Sequence, residues 1–421
     1  MSRTIIDPKI LKGTRDFLPT DMAKRDYVMD VMRSVFRKYG YDTIETPVIN
    51  YAETILGKYG EEGDRLTYNF KDSGDRGIAL PYDLTVPFAR LVAANYSNLP
   101  MPFKRYQIQR VWRAEKPQKG RLREFYQCDI DVIGTKSLLA EAEVARIIVS
   151  VFEELGFENF RIKVNSRRLM NAILDSFGLD DDPLALIRII DKMAKIGEDG
   201  VKNELSSIGV SQNKITELFD AFSKGDFSAY DMSEIEEFMG LCKDLCIDDK
   251  YIEFDPCLAR GLDYYTGIIY EVVSDDVDFG TLCAGGRYDD LCGLFCKEDF
   301  SGVGVAFGFE RIMLALEKMN RLADVPLSSK VLVTLFDSVS TAASLAIYNE
   351  LVCAGINSEI YFEPAKLSEQ FKYAAKKQVP FVVVSGPDER AKSEVTVKFM
   401  DSGNQKTIPV NQLISYIKGY V

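Results

Sequence analysis

Two alternating runs, residues 103–114 and 122–133, constrain this chain more than any other stretch of it. Only Glu115-Lys-Pro-Gln-Lys-Gly-Arg121 separates them, so they are predicted to pair as a hairpin. Side chains alternate along a strand, which sends Tyr126, Cys128, Ile130 and Val132 to one face and Phe125, Gln127, Asp129 and Asp131 to the other. The first set makes an ordinary core. The second holds one aromatic, one amide and two carboxylates, and burying it costs free energy unless polar partners or a polar ligand meet it. We read that face as a site, against the alternative of a solvated outer face on an antiparallel pair.

The rest of the chain supplies layers around such a sheet. Val28, Val31, Met32, Val35 and Phe36 form one apolar helix stripe that Gly40 ends, and Val144, Ile147, Ile148, Val151, Phe152 and Leu155 form another that Gly156 ends. Residues 41–50 carry Pro47 and suit an edge strand. From about 166 to 250 the pattern is helical without strand alternation, which predicts an inserted helical module. Strands return at 268–273 and near Val303, where Gly302-Val-Gly-Val-Ala-Phe-Gly308 leads into a helix over 309–318. Residues 320–329, with Pro326, read as a linker. Beyond it, strands at 331–336, 358–362 and 381–385 alternate with helices at 340–354 and 367–377, predicting a small α/β domain with a largely parallel sheet.

Composition narrows the chemistry. The 421 residues include no histidine, so no imidazole of this chain serves as base, nucleophile or metal ligand. A net charge of −12 excludes a general nucleic-acid coat protein but leaves room for a local basic site, because exposed charges are screened beyond about 10 Å. Eight cysteines without a Cys-x-x-Cys pair fit reduced thiols in a cytosolic protein. Cys242 and Cys246, like Cys292 and Cys296, are spaced for one helix face and read as buried thiols, and no metal-ligating set is assigned. No apolar run reaches bilayer length and no secretory signal is expected.

Four stretches carry chemistry. Residues 104–123 hold Lys104, Arg105, Arg110, Arg113, Lys116, Lys119, Arg121 and Arg123 against one acid, Glu115. A basic hairpin on an acidic chain suits a polyanion such as a nucleotide triphosphate or an RNA end, and the other reading is a solvated hairpin paired to acidic neighbours. Arg260-Gly-Leu-Asp-Tyr-Tyr-Thr-Gly267 sets a guanidinium, the Asp263 carboxylate and two phenols at the mouth of the following strand, with Gly261 allowing close backbone approach. Gly285-Gly-Arg-Tyr-Asp289 reads as a tight glycine turn, and Gly308-Phe-Glu-Arg311 opens a helix with its arginine turned back toward the glycine-rich strand.

In this order the pieces resemble the histidyl-tRNA synthetase family of class II aminoacyl-tRNA synthetases, over essentially the whole length. Lys12-Gly-Thr-Arg-Asp16 resembles the family's N-terminal signature, Glu45-Thr-Pro47 its motif 1, Trp112-Arg-Ala-Glu115 through Phe125 its motif 2 and Gly308-Phe-Glu-Arg311 its motif 3. Arg260-Gly-Leu-Asp-Tyr-Tyr265 and Gly285-Gly-Arg-Tyr-Asp289 resemble the two elements particular to the histidine-specific enzyme. The resemblance implies an α+β fold: a class II catalytic domain on an antiparallel sheet, residues 1–325, with a helical insertion at about 166–250, and a C-terminal α/β anticodon-binding domain, residues 330–421. It implies a cytoplasmic homodimer, away from membranes, that attaches L-histidine to tRNA(His) with ATP and Mg2+ through a histidyl-adenylate.

The resemblance also implies roles. Arg113 holds the ATP α-phosphate, Glu115 the adenine amino group, and Phe125 and Arg311 the two faces of adenine, while Arg121 and Arg123 are candidates for the outer phosphates. Asp83, Thr85 and Gln127 hold the substrate α-ammonium, and Asp131, Tyr264 and Tyr265 the imidazole. Arg260 stabilises the charge that develops as the carboxylate attacks the α-phosphate, and Gln118 reads the extra 5′ guanosine of the tRNA. Two departures stand out: Pro81 where relatives carry an arginine that supports the ammonium-binding acid, and Asp290 where glycine is usual. The competing reading is a synthetase-like regulatory subunit of the ATP phosphoribosyltransferase of histidine biosynthesis, whose kind lacks the anticodon domain.

Overall fold

The alternating hairpin lies near one edge of the larger of the molecule's sheets. The computed structural model describes residues 6–118, 120–179, 182–260, 264–289, 293, 295–298, 300–323 and 325–420. Lys119, Gly261, Asp263, Asp290 and Cys292, singled out above, lie outside the described residues. The strands are β1 (Asp42–Thr43), β2 (Asn50–Tyr51), β3 (Asn69–Lys71), β4 (Gly77–Ala79), β5 (Phe103–Trp112), β6 (Glu124–Ile133), β7 (Phe160–Ser166), β8 (Ile252–Phe254), β9 (Tyr265–Ser274), β10 (Cys283–Tyr288), β11 (Gly302–Phe307), β12 (Val331–Val333), β13 (Ser358–Ile360), β14 (Phe381–Val384), β15 (Glu394–Phe399) and β16 (Gln405–Pro409). Two units contain them: Met1–Asp16 with Val28–Ala323, and Phe17–Tyr27 with Asp324–Val421.

In the first unit the strand order is β1-β5-β6-β11-β10-β9-β7-β8. The six inner strands are antiparallel neighbours, and a parallel strand, β1 or β8, closes each edge. One face of this sheet is apolar and carries the helices. Phe307 of β11 stands between Phe36 of the helix Pro19–Lys38 and Phe152 of the helix Leu139–Glu154, with ring centroids 5.6 and 6.3 Å away. Both helices present the stripes expected of them, and Met32, Val35, Ile147 and Ile148 are fully buried.

The opposite face is polar. Register places Arg105 opposite Asp131, Gln107 opposite Asp129 and Gln109 opposite Gln127, and across the other edge of β6 Gly304 meets Asp131 and Ala306 meets Asp129. Small residues on β11 leave room above the sheet. At its inner end the face is closed by Phe88, Val92, Phe103 and Ile133, in part from the helix Thr85–Asn95. A small sheet, β2-β4-β3, adjoins that helix in sequence. Helices Arg167–Ser176, Pro183–Ile190, Met193–Ser207, Gln212–Lys224 and Ser233–Asp244 form the helical stretch, the first capped by the Ser166 hydroxyl accepting from the Arg168 and Leu169 amides.

In the second unit β13, β12 and β14 are parallel, and β15 and β16 continue the sheet antiparallel. The sheet is therefore mixed where a largely parallel one was expected, because a hairpin follows β14 in place of a further crossover helix. One face packs Val331 and Val333 against Ile347 and Leu351, the other Leu332 and Val382 against Ala374. Two further expectations are corrected. Residues 41–50 supply an edge strand of only two residues, β1. Gly285 and Gly286 are not a turn but the middle of strand β10, where a Cβ would stand 2.0 Å from the Gly304 carbonyl oxygen and 2.5 Å from that of Ile268.

Gly304 admits no side chain either, since its Cβ would lie 2.0 Å from Asp131 Oδ1. Gly304→Ala must push Asp131 off its partners, and overpacking of this kind costs about 1–3 kcal/mol. The expected outcome is a lower urea midpoint at unchanged m-value; an unaltered midpoint would show that the sheet yields there without cost.

Candidate active site

Two cavities open side by side on the polar face. The larger, about 360 Å³, is walled by Arg113, Glu115, Arg121, Phe125, Arg260 and Arg311; the smaller, about 260 Å³, by Asp83, Thr85, Asp129, Asp131, Tyr264, Tyr265 and Tyr288. Arg113, Gln127, Arg260, Ala284 and Ala306 line both. Each size fits a piece of one bimolecular reaction.

The larger cavity is cationic. Arg113 lies over the rings of Tyr82 and Phe125, 4.4 and 5.3 Å from their centroids, and its Nε donates to the Tyr82 carbonyl at 3.0 Å, which fixes its direction. Arg311 comes from the first turn of the helix Phe309–Lys318 and donates through Nη1 to the Thr281 carbonyl at 2.7 Å. Burial, and after it repulsion by Arg121, pulls its guanidinium below the ordinary value, as expected where cations crowd around a place for an anion. Arg121 stands 3.6 Å from Glu115.

Between the cavities sits Arg260. Burial opposes its charge, but the Tyr265 phenol and the Glu271 carboxylate outweigh that and hold the guanidinium above its usual value. Its Nη1 is 3.5 Å from Glu271 Oε2, while Glu271 Oε1 accepts from the Thr281 hydroxyl at 2.7 Å. Thr281 thus fastens Arg311 by its carbonyl and Arg260 through Glu271. The buried Nε of Arg260 has no acceptor among the described residues.

The smaller cavity is anionic. Asp83 Oδ1 accepts from the Tyr59 hydroxyl at 2.7 Å and the Val86 amide at 3.2 Å, so Tyr59 supplies the support that Pro81 cannot. Asp131 is contacted through Oδ2 by Arg105 Nη2 at 2.5 Å and through Oδ1 by the Tyr288 hydroxyl at 2.5 Å. Among the described residues Asp129 has only two long contacts, both 3.4 Å, from Gln127 Nε2, and Gln127 Oε1 is buried without a donor. Burial first, then Asp131 and Asp83, pushes the Asp129 carboxyl well above the usual range, although Arg105 and Arg113 oppose the shift. Tyr264 and Tyr265 lie 4.7 Å apart at the strand start.

Most of the residues expected at a site are therefore brought together, and Arg123 and Gln118 are not. Arg123 donates to the carbonyls of Glu115 at 3.0 Å and Lys12 at 3.2 Å, tying the hairpin to the N-terminal segment. Gln118 is exposed at the hairpin tip, where its backbone pairs with Arg121. The basic hairpin is also less available than its sequence suggests, because Lys104 pairs with Glu143, Arg105 with Asp131 and Arg110 with Glu124. Arg287 is wholly structural: it grips Glu141 and Ser301 and donates to the carbonyls of Thr135 and Ser137. Arg105 and Tyr288 as partners of Asp131, and Tyr59 as partner of Asp83, were not anticipated. Strand register would have exposed Arg105 opposite Asp131, but nothing local marks Tyr59.

An antiparallel sheet with an arginine-lined cavity beside a carboxylate-lined one, in a chain whose second unit is α/β, defines a class II aminoacyl-tRNA synthetase. The sequence profile for histidyl-tRNA synthetase matches residues 13–312 and that for an anticodon binding domain residues 325–420. The chain is 38% identical to the histidine--tRNA ligase of Cytophaga hutchinsonii, covering 97% of this chain and 98% of that protein, and 37% identical to that of Christiangramia forsetii, covering 98% and 99%. It superposes on the crystal structure of histidyl-tRNA synthetase from Nostoc sp. PCC 7120 with a TM-score of 0.87 and 30% identity, covering 99% of this chain and 100% of that one. The chain belongs to the histidyl-tRNA synthetase family.

A buried carboxyl with a raised folded-state value destabilises the protein above that value, and the penalty fades as pH falls toward the unfolded value. Asp129→Asn removes it. The ligand-free variant should melt about 2–4 °C higher than the parent at pH 8, with the gain shrinking toward pH 4. A gain that is constant across a pH series of thermal melts would exclude this origin.

Proposed function

We propose that this chain attaches L-histidine to tRNA(His) in two steps. A histidine carboxylate oxygen attacks the α-phosphorus of ATP, forming the O–P bond of histidyl-adenylate as the bond to pyrophosphate breaks. A terminal ribose hydroxyl of the tRNA then attacks the adenylate carbonyl, and AMP leaves. The observation that carries this reading is the pair of adjoining cavities sharing Arg113, Gln127 and Arg260. A nucleotide in the larger and an amino acid in the smaller meet at those two guanidiniums.

In this reading Phe125 and Arg311 sandwich adenine, Glu115 accepts from its amino group, Arg113 holds the α-phosphate and Arg121 the outer phosphates. The unpartnered Arg260 Nε supports a place for it at the charge that builds on the α-phosphate. Asp83, Thr85 and Gln127 take the ammonium. Tyr264, Tyr265 and Asp131 face the imidazole, each Asp131 oxygen keeping a second lone pair beyond its present partner. In-line displacement at phosphorus rests on positioning and charge rather than proton transfer, so a chain without histidine lacks nothing it needs.

Magnesium enters as an ion carried on the nucleotide. Among the described residues no three side chains cluster as a metal cage, while Glu115 and Glu310 line the cavity. Those two carboxylates would hold it beside the nucleotide, where it would offset part of the phosphate charge. We assign the catalytic domain to residues 1–325, with an inserted module at about 166–250, and the anticodon-binding domain to residues 330–421. Exposed Val48, Ile49 and Tyr51, next to the motif 1 segment, support a homodimer through that edge. Gln118, exposed at the hairpin tip, is assigned to the tRNA end in this reading. The reading locates the protein in the cytoplasm, and no helix among the described residues is long and apolar enough to cross a membrane. A regulatory-subunit role is disfavoured by the anticodon-domain match over residues 325–420.

Histidine-dependent exchange of pyrophosphate into ATP tests the proposal, and no exchange would sink it. Arg260→Ala should lower the exchange rate by about 10²–10³ while the thermal midpoint holds. Loss of folding with normal activity in the surviving fraction would make Arg260 structural.

A further inference from the structure

Three carboxylates face the smaller cavity, and their surroundings differ. Asp131 is satisfied at both oxygens, by the fully buried Arg105 and by Tyr288. Asp83 is held at Oδ1 by Tyr59 and an amide. Asp129 is only 2% exposed, yet its flanking positions in register are Gln107 and Ala306, and among the described residues no cation or hydroxyl lies within hydrogen-bond distance of it. Gln127 Nε2 reaches it at 3.4 Å from each oxygen, too far for a strong bond.

A buried carboxylate left in this state is costly, and a fold retains one at a binding site when a ligand supplies the missing charge. The group that fits is a small cation with several N–H donors. Beside Asp129 the buried Gln127 Oε1 also lacks a donor, and Asp83 and Thr85 face the same space. One ammonium with three hydrogens satisfies two carboxylates and the amide oxygen together.

We infer that Asp129 is a primary acceptor of the substrate's α-ammonium, sharing it with Asp83 and Gln127, and so selects an amino acid over its deaminated analogue. This rests on the reading of the site as a histidine pocket. Ala306 and Ala284 contribute by omission: as small residues on the neighbouring strands they leave the space above Asp129 open and offer it no competing partner.

Calorimetric titration of the whole chain and its Asp129→Asn variant with L-histidine, histidinol and 3-(imidazol-4-yl)propionate tests the assignment. The variant keeps the side chain's shape, and its thermal midpoint checks its fold. Histidine and histidinol, which carry the ammonium, should bind about 10–100-fold more weakly to the variant, as expected for losing a charged hydrogen bond. The propionate, which lacks the ammonium, should change by less than about threefold, and the KM for ATP should stay at its parent value. Equal weakening of all three ligands, or none, would overturn the assignment. Parent protein that neither binds histidine nor supports histidine-dependent exchange would overturn the reading of the pocket as well, whereas parent binding with an unaffected variant would overturn the role of Asp129 alone.

Discussion

The contact on which the rest depends is the buried pair of Arg105 and Asp131. Both side chains are almost wholly removed from water, and taking two charges out of solvent costs several kcal/mol per ion unless geometry and further hydrogen bonds compensate. Here strand pairing supplies the geometry: β5 and β6 hold the two residues directly opposite each other. Phe88 covers the guanidinium face 4.2 Å away, Tyr288 satisfies the second oxygen, and glycine at 304 leaves the space the carboxylate occupies. Slipping β5 by one residue would turn Arg105 into the helix layer and leave Asp131 uncompensated. The ion pair therefore specifies register more than it adds stability, and that register sets Gln107 opposite Asp129 and Gln109 opposite Gln127.

Much of this was legible in the chain. Period-two alternation over 122–133 identified the polar face because each position on β6 contributes to one side only. The two apolar stripes around Val35 and Ile148 were equally plain, since each helix buries a single face. Elements set by distant partners were not. Gly285 and Gly286 look like a turn in sequence but are strand, and the cause is close approach of backbones on both neighbours, which no local pattern encodes. The hairpin β15–β16 and the short edge strand β8 escaped notice, and the edge strand expected within 41–50 shrank to the two residues of β1. Two- or three-residue strands owe their extended form to the edge they complete.

Legibility of the site followed the same division. Arginines near glycines and paired tyrosines announced themselves, and Arg113, Arg260 and Arg311 do line the cavities. Arg123 shows the limit of charge counting. It belongs to the same basic run as Arg121, but it stands in the turn just before β6, and its guanidinium is used on two carbonyls. Tyr59 shows the converse. An isolated tyrosine 24 residues from Asp83 becomes its hydrogen-bond donor only after the chain has folded back. Pro81 offers Asp83 no donor, and a phenol from another segment occupies the supporting role.

The two cavities together form an electric field with a direction. Arg113, Arg121, Arg260 and Arg311 crowd the larger, and Asp83, Asp129 and Asp131 the smaller, with Arg105 compensating only one of the three. A zwitterionic amino acid entering such a field is oriented before any specific hydrogen bond forms: ammonium toward the carboxylates, carboxylate toward Arg113 and Arg260. In the proposed reaction that orientation would aim the nucleophilic oxygen at the phosphate assigned to those arginines, so one charge distribution would serve both binding and the line of attack. The cost is visible in the unliganded protein as crowded guanidiniums and a carboxyl forced toward its neutral form.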